Sequence, residues 1–192
     1  MKTTSIMIVG VGGQGTLLAS KLLGNVLLRQ GFDVKLSEVH GMSQRGGSVV
    51  TYVRFGEKVY SPVVDLGEAD YILSFELLES ARWISHLKKG GQLVTNTHQT
   101  PPMPVITGAA EYPRDIVEKL RARANVIALD ALPLAEQAGS ARAVNVVLIG
   151  VLSKRMPFDE SVWREAIAET VPKKFLEVNL RAFELGRSAH GE

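Results

Sequence analysis

Apolar positions in this chain alternate between short β-branched runs and longer stretches with helical spacing, and the first such pair sets the plan. Ile6 to Val9 is an apolar run that passes straight into Gly10, Gly12, Gly13 and Gly15. Beyond the glycines, Leu18, Leu22 and Val26 recur at i, i+4, with Ala19, Leu23 and Leu27 beside them. This pattern predicts a strand, a tight glycine turn and a helix with one wide apolar face. Gly31 ends the helix, and Val34 to Val39 reads as a second strand finishing on Glu38 and His40.

The next stretch departs from a simple strand–helix alternation. His40 to Gly47 is polar and glycine-rich where a crossover helix would be expected. Two alternating runs follow, Val49 to Phe55 and Lys58 to Val64, joined at Gly56-Glu57. They predict an inserted β-hairpin and therefore a mixed sheet. Asp70 to Phe75 is then a buried strand, Glu76 to Leu87 a helix, and Gly90-Gly91 a stop before the strand Gln92 to Asn96. A polar, proline-rich segment, Thr97 to Pro104, leads to a short apolar run from Val105 to Gly108. Pro113 to Arg123 is read as a helix with proline at its start, Asn125 to Leu129 as a strand and Ala131 to Gly139 as a short helix. Ala143 to Lys154 is almost wholly apolar apart from Asn145 and predicts a buried helix. Asp159 is placed as the N-cap of a helix carrying Val162, Trp163, Ala166 and Ile167. Pro172 opens a last helix with Phe175, Leu176, Asn179, Leu180 and Phe183 inward, closing at Gly186.

The expected fold class is α/β: a Rossmann-like three-layer domain whose mixed sheet combines a parallel core with the inserted β-hairpin. Residues 1–192 form one domain, with a C-terminal helical part over about residues 140–187.

Composition removes several kinds of chemistry. A hydrophobic fraction of 45% and a charged fraction of 22% are those of a globular protein. A net charge of +2 without a basic stripe predicts no nucleic-acid partner. No apolar run approaches the ~20 residues of a membrane span, and Ser5 to Val11 is too short for a signal peptide, so a cytoplasmic protein is expected. The chain has no cysteine. That excludes a disulfide, a thiol nucleophile, a thiolate zinc site and a cysteine-ligated iron–sulfur cluster within it.

In an open α/β sheet, ligands bind beyond the carboxyl ends of the parallel strands. Those ends here are Gly10 to Gly15, Glu38 to Gly47, Ser74 to Glu76, Asn96 to His98 and Asp130. The glycine turn offers backbone N–H groups and a helix N-terminus to an anion. The competing reading is a turn that serves strand–helix packing alone. Arg45, followed by Gly46-Gly47, is the phosphate partner, the alternative being an arginine that caps the hairpin. Glu38 either accepts hydrogen bonds from ribose hydroxyls or packs against Arg45. His40 and His98 lack a partner carboxylate at informative spacing and are read as polar loop residues, and Asn145 as bonding a neighbouring loop. No Ser–His–Asp order, HExxH spacing, paired-carboxylate signature or complete P-loop is present, so the reading includes no catalytic residue and no metal ligand. Residue by residue, this is a phosphate-binding α/β domain without a self-contained catalyst.

The segments IVGVGGQGTLLASKLLG, EVHGMSQRGGSVVTYVRFG, DYILSFELLESAR, NVVLIG and EVNLRAFELG resemble, in order and spacing, the gamma-type subunits of 2-oxoacid:ferredoxin oxidoreductases. The hairpin wording and free-standing length are nearest to the indolepyruvate branch, where this subunit is called beta. The resemblance implies an oxidative decarboxylation of aryl 2-oxoacids to acyl-coenzyme A with reduction of ferredoxin, carried out by a complex. It also implies that thiamine diphosphate and the iron–sulfur clusters sit on a large alpha subunit, and that the chain is inactive alone. Coenzyme A is then the ligand expected at Gly10, Gly12, Gly13, Gly15, Gln44, Arg45 and Gly46. Other readings stay open: a gamma subunit for pyruvate, 2-oxoglutarate or branched 2-oxoacids, a structural clamp with a vestigial nucleotide site, and a stand-alone nicotinamide-dependent dehydrogenase.

Overall fold

The computed structural model describes residues 3–40 and 47–189. The chain begins with β1 (Thr4–Val11), α1 (Thr16–Arg29), β2 (Asp33–His40) and β3 (Ser48–Gly56). It continues through β4 (Ala69–Ser74), α2 (Leu77–Trp83), β5 (Leu87–Asn96), the single turn α3 (Met103–Ile106), α4 (Ile116–Arg121) and β6 (Asn125–Leu129). The helices α5 (Leu132–Ala138), α6 (Val144–Ser153), α7 (Glu160–Thr170) and α8 (Leu176–Ser188) complete it.

The strands form one mixed sheet in the order β2-β3-β1-β4-β5-β6. β1, β4, β5 and β6 pair in parallel, while β3 runs antiparallel to both β1 and β2. The hairpin is therefore β2 with β3, and not Val49–Phe55 with Lys58–Val64. Both edges of β3 are taken, with Thr4 opposite Phe55 on one side and Val34 opposite Phe55 on the other. No ladder position is left for the second alternating run, whose Pro62 also lacks a donor. Lys58–Val64 is irregular and is held by side chains instead. Arg54 Nη1 donates to the carbonyls of Ser61 (3.3 Å) and Val63 (2.9 Å), and Val59 N–H donates to Asp33 Oδ2 (2.9 Å).

Strand periodicity divides the core. Ile6 and Ile8 pack with Leu22, Leu23 and Val26 of α1 and with α5 to α8, whereas Met7 and Val9 pack with Val64, Leu77, Ile116 and Leu120 on the opposite face. The result is the expected three-layer α/β arrangement. Val146 to Leu152 of α6 is buried throughout, which makes this helix the centre of the larger core. α8 crosses it at two glycines: a methyl group on Gly150 would land on the Phe183 carbonyl, and one on Gly186 on the Val147 carbonyl.

Several boundaries differ from the sequence reading for local reasons. Gly90-Gly91 lies inside β5, in a bulge of residues 88–91 opposite Asp70 where the register jumps from Ala69–Leu87 to Tyr71–Gln92. α4 starts at Ile116, after Asp115 takes φ 57°, so Pro113 belongs to the preceding loop. Asp159 occupies the N-cap position of α7 without a side-chain cap bond. α8 continues through Gly186 to Ser188, because that glycine serves close packing with α6.

Candidate functional site

The turn after β1 is closed by its own side chain and by β3. Gln14 Oε1 accepts the Val11 N–H (2.9 Å), Gln14 N–H donates to the Val11 carbonyl (3.3 Å), and Gly12 N–H donates to the Gly47 carbonyl (2.9 Å). A side chain at Gly10 would press on Gln14 Oε1 at 2.7 Å and on Phe75 Cβ at 3.2 Å, so the turn sits tightly over the end of β4. Gly13 has φ 99°, and Gly15, the N-cap of α1, has φ 82°. With the Gly12 N–H committed to Gly47, the N–H groups at the mouth of α1 without a protein acceptor among the described residues are those of Gly13, Gly15 and the first helical turn, Thr16 to Leu18.

Asn145, 4% exposed, braces the turn from α6. Its Nδ2 donates to the Gly15 carbonyl at 3.3 Å and its Oδ1 accepts the Val146 N–H at 2.9 Å. The expectation of a loop-bonding asparagine holds. Because α6 abuts the turn, the short 3-10 turn before it, Ala141–Ala143, reaches the same place.

A cavity of about 640 Å³ results, lined by Gly13, Gln14, Phe75, Asn96, His98, Leu132, Ala141, Arg142 and Val144. It lies at the carboxyl ends of β1, β4 and β5, where an open α/β sheet places ligands. Arg142 was not among the sequence-selected residues. The signal that could have found it is Asn145, since one polar residue in an apolar helix marks where that helix meets a backbone needing a partner. Arg142 forms no ion pair among the described residues, so its guanidinium is available to an anionic ligand.

His98 is fixed at the cavity by its backbone. Its carbonyl accepts the Leu77 N–H (2.9 Å), and two residues on, Thr100 N–H donates to Glu76 Oε1 (3.0 Å). Tyr112 OH donates to the same oxygen (2.8 Å). Burial, reinforced by the neighbouring Glu76, pushes the Tyr112 phenol far above its ordinary pKa, so it stays a donor. Asn96 Oδ1 accepts the Ala131 N–H at 3.1 Å, joining β5 to the start of α5.

The remaining sequence-selected residues divide. Gly13 lines the cavity, Gly12 and Gly15 belong to the turn beside it, and Gly10 lies in β1 opposite Val49. Glu38 does not reach it: β3 lies between β2 and β1, which puts Glu38 two strand spacings from the turn, about 10 Å, and its Oε2 accepts the Thr51 hydroxyl at 3.2 Å. His40 ends β2 opposite Val49, away from the cavity lining. Gln44, Arg45 and Gly46 lie outside the described residues, and the chain re-enters at Gly47 beside the turn. Among the described residues no group of His, Asp or Glu side chains is arranged to hold a metal. The cavity combines the Gly13 N–H, a guanidinium and apolar walls, with the mouth of α1 beside it, an arrangement that suits a phosphate-bearing organic ligand.

The chain is similar to known proteins over nearly its whole length. Residues 5–189 match the family profile described as pyruvate ferredoxin/flavodoxin oxidoreductase. A relative from Thermococcus kodakarensis, named indolepyruvate oxidoreductase subunit IorB, is 50% identical over 100% of this chain and 98% of its own. The crystal structure of a keto/oxoacid ferredoxin oxidoreductase gamma subunit from Geobacter sulfurreducens shares the fold with a TM-score of 0.71 at 21% identity, covering 95% of each chain. A 2-oxoglutarate:ferredoxin oxidoreductase from Magnetococcus marinus, solved with 2-oxoglutarate, coenzyme A and succinyl-CoA bound, matches 98% of this chain and 31% of its own at TM-score 0.75 and 20% identity.

Proposed function

Because the chain belongs to the pyruvate ferredoxin/flavodoxin oxidoreductase family, we propose that it is the non-cluster subunit of an indolepyruvate-type 2-oxoacid:ferredoxin oxidoreductase and supplies part of its coenzyme A site. The overall reaction joins an aryl 2-oxoacid and coenzyme A, releases CO2, and passes two electrons to ferredoxin. Thiamine diphosphate and the clusters reside on a large alpha subunit, in keeping with a chain that has no cysteine of its own. The complex works in the cytoplasm.

The observation that carries the coenzyme A reading is the cavity in which Gly13 and Arg142 meet. The free N–H groups at the mouth of α1 and the Arg142 guanidinium hold phosphate oxygens, and Leu132 and Val144 shield the organic part from water. Gln44, Arg45 and Gly46 keep their sequence-based assignment to phosphate. Glu38 serves the β2–β3 hairpin through Thr51, and ribose recognition falls to other groups. The same displacement of Glu38 argues against a nicotinamide dinucleotide.

A clamp role accompanies this one. Tyr60, Val63 and Leu66 are exposed on the irregular segment after β3 and offer an apolar surface to the large subunit. Co-expression with a large subunit tests the whole reading. The complex is expected to reduce a ferredoxin or dye only with an aryl 2-oxoacid and coenzyme A together, and neither subunit alone to do so. Activity of this chain alone with NAD would overturn it, while a preference for pyruvate or 2-oxoglutarate would move it to another branch of the family.

A further inference from the structure

The first turn of α2 carries two buried carboxylates that take no part in the cavity lining, Glu76 at 1% and Glu79 at 4% exposure. A buried carboxylate survives only with its lone pairs occupied, and each of these takes, besides bonds within α2, a donor from a segment that leads to the site. Glu76 Oε2 caps its own helix through the Glu79 N–H (2.8 Å), while Oε1 takes the Thr100 N–H and the Tyr112 hydroxyl from the chain beyond β5. Between these anchors the Leu77 N–H holds the His98 carbonyl. Glu79 reaches the other way: its Oε2 accepts the Ser48 hydroxyl and the Trp83 indole N–H (3.3 Å), and its Oε1 the Arg82 Nε–H (3.1 Å). Ser48 follows Gly47, the residue that takes the Gly12 N–H.

We infer that Glu76 is a positioning residue that fixes His98 at the cavity wall, and that Glu79 does the same for the end of β3 against which the glycine turn rests. One helical turn thereby holds two walls of the cavity at a set separation. Beyond capping α2, where an apolar pair would bury more at less desolvation cost, the carboxylates tie neighbouring segments to its first turn, Thr100 and Tyr112 through Glu76 and Ser48 through Glu79. The functional consequence, though not the positioning itself, rests on the coenzyme A reading.

The test uses the 192-residue chain with two readouts. In Glu76→Ala, amide exchange at Leu77 and Thr100 is expected to accelerate and the His98 resonances to shift, while Glu76→Gln, which keeps one acceptor oxygen, restores part of the protection. Trp163→Phe, in the other core, serves as a comparison that lowers stability without moving His98. Coenzyme A affinity is expected to fall about tenfold in Glu76→Ala, the size of one charged hydrogen bond, and combining it with His98→Ala should add little. Unchanged exchange at Leu77 and unmoved His98 resonances, or losses that multiply in the double variant, would overturn the inference. If the unmodified chain and its complex with the large subunit both bind no coenzyme A, the ligand reading fails, yet the exchange and resonance data still decide the positioning.

Discussion

Asn145 Nδ2 lies 3.3 Å from the Gly15 carbonyl oxygen, bonding the start of the most buried helix to the N-cap of the first one across 130 residues of sequence. The same contact excludes any side chain at Gly15, because a Cβ there would sit 2.5 Å from that nitrogen. Gly15→Ala combines this overlap with a left-handed backbone, φ 82°, that costs a non-glycine residue roughly 1–2 kcal/mol. It should lower stability by more than the strain alone. Asn145→Ala should cost about 1–3 kcal/mol, because the buried Val146 N–H loses its acceptor and the Gly15 carbonyl keeps only the Ala19 N–H. Urea denaturation of both and of the double variant checks the pairing, and the combined loss should be less than the sum.

Arg142 makes the opposite prediction. It is exposed and forms no ion pair among the described residues, so Arg142→Ala should leave the melting temperature within a degree or so while weakening coenzyme A binding about tenfold or more. Arg142→Lys should recover only part of the loss, since an ammonium cannot grip two phosphate oxygens in a plane. Isothermal titration with coenzyme A, and with its dephospho form, reads both effects.

How much of this was legible depends on what each residue's neighbours are. The strand, glycine turn and helix of residues 6–27 were readable because their partners are local and their periodicities differ. β3 was seen as a strand, but its place between β1 and β2 was not, since alternation says which face a residue takes and nothing about which edge is free. Lys58–Val64 alternates as well as β3 does and forms no strand, because both sides of β3, its neighbour in sequence, are taken by β1 and β2. Arg142 was missed for a related reason: its only mark in the sequence is indirect, and it becomes a site residue when Asn145, three residues on, docks α6 on Gly15. Glu76 was placed at a strand end and Glu79 was not singled out, since their burial is decided by Thr100, Tyr112 and Ser48, all far off in sequence.

The crossing of α6 and α8 should be the least tolerant contact in the fold. Gly150→Ala or Gly186→Ala forces the helices apart, since each added methyl meets backbone and not a movable side chain. Overpacking of this kind costs typically 1–3 kcal/mol and more where backbone must shift, so a loss of about 3 kcal/mol or greater is expected for Gly186→Ala. Thermal unfolding followed by circular dichroism measures it.

Acid sensitivity is expected at Asp33. Its carboxylate accepts from Lys35 Nζ (2.6 Å) and from the Val59 N–H, and these bonds, Lys35 first, hold its pKa below the ordinary 3.8. A lowered folded-state pKa gives stability that is present above about pH 4 and disappears as the pH falls through the folded value. Asp33→Asn should therefore be the less stable protein at pH 7, with the two stability curves converging below pH 3.8. Denaturant midpoints taken between pH 2.5 and 7 would show that convergence or its absence.

The ten-residue helix α6 has Asn145 at one end on the first glycine turn and Gly150 in its middle under the last helix of the described chain. At 1.5 Å per residue those two points are only about 8 Å apart on a rigid rod. The C-terminal helix is thus a foundation for a ligand turn built by the first fifteen residues. Trimming the chain back before residue 186 would remove that support from beneath the cavity, so a minimal fragment that preserves the cavity has to keep both the glycine turn and the last helix.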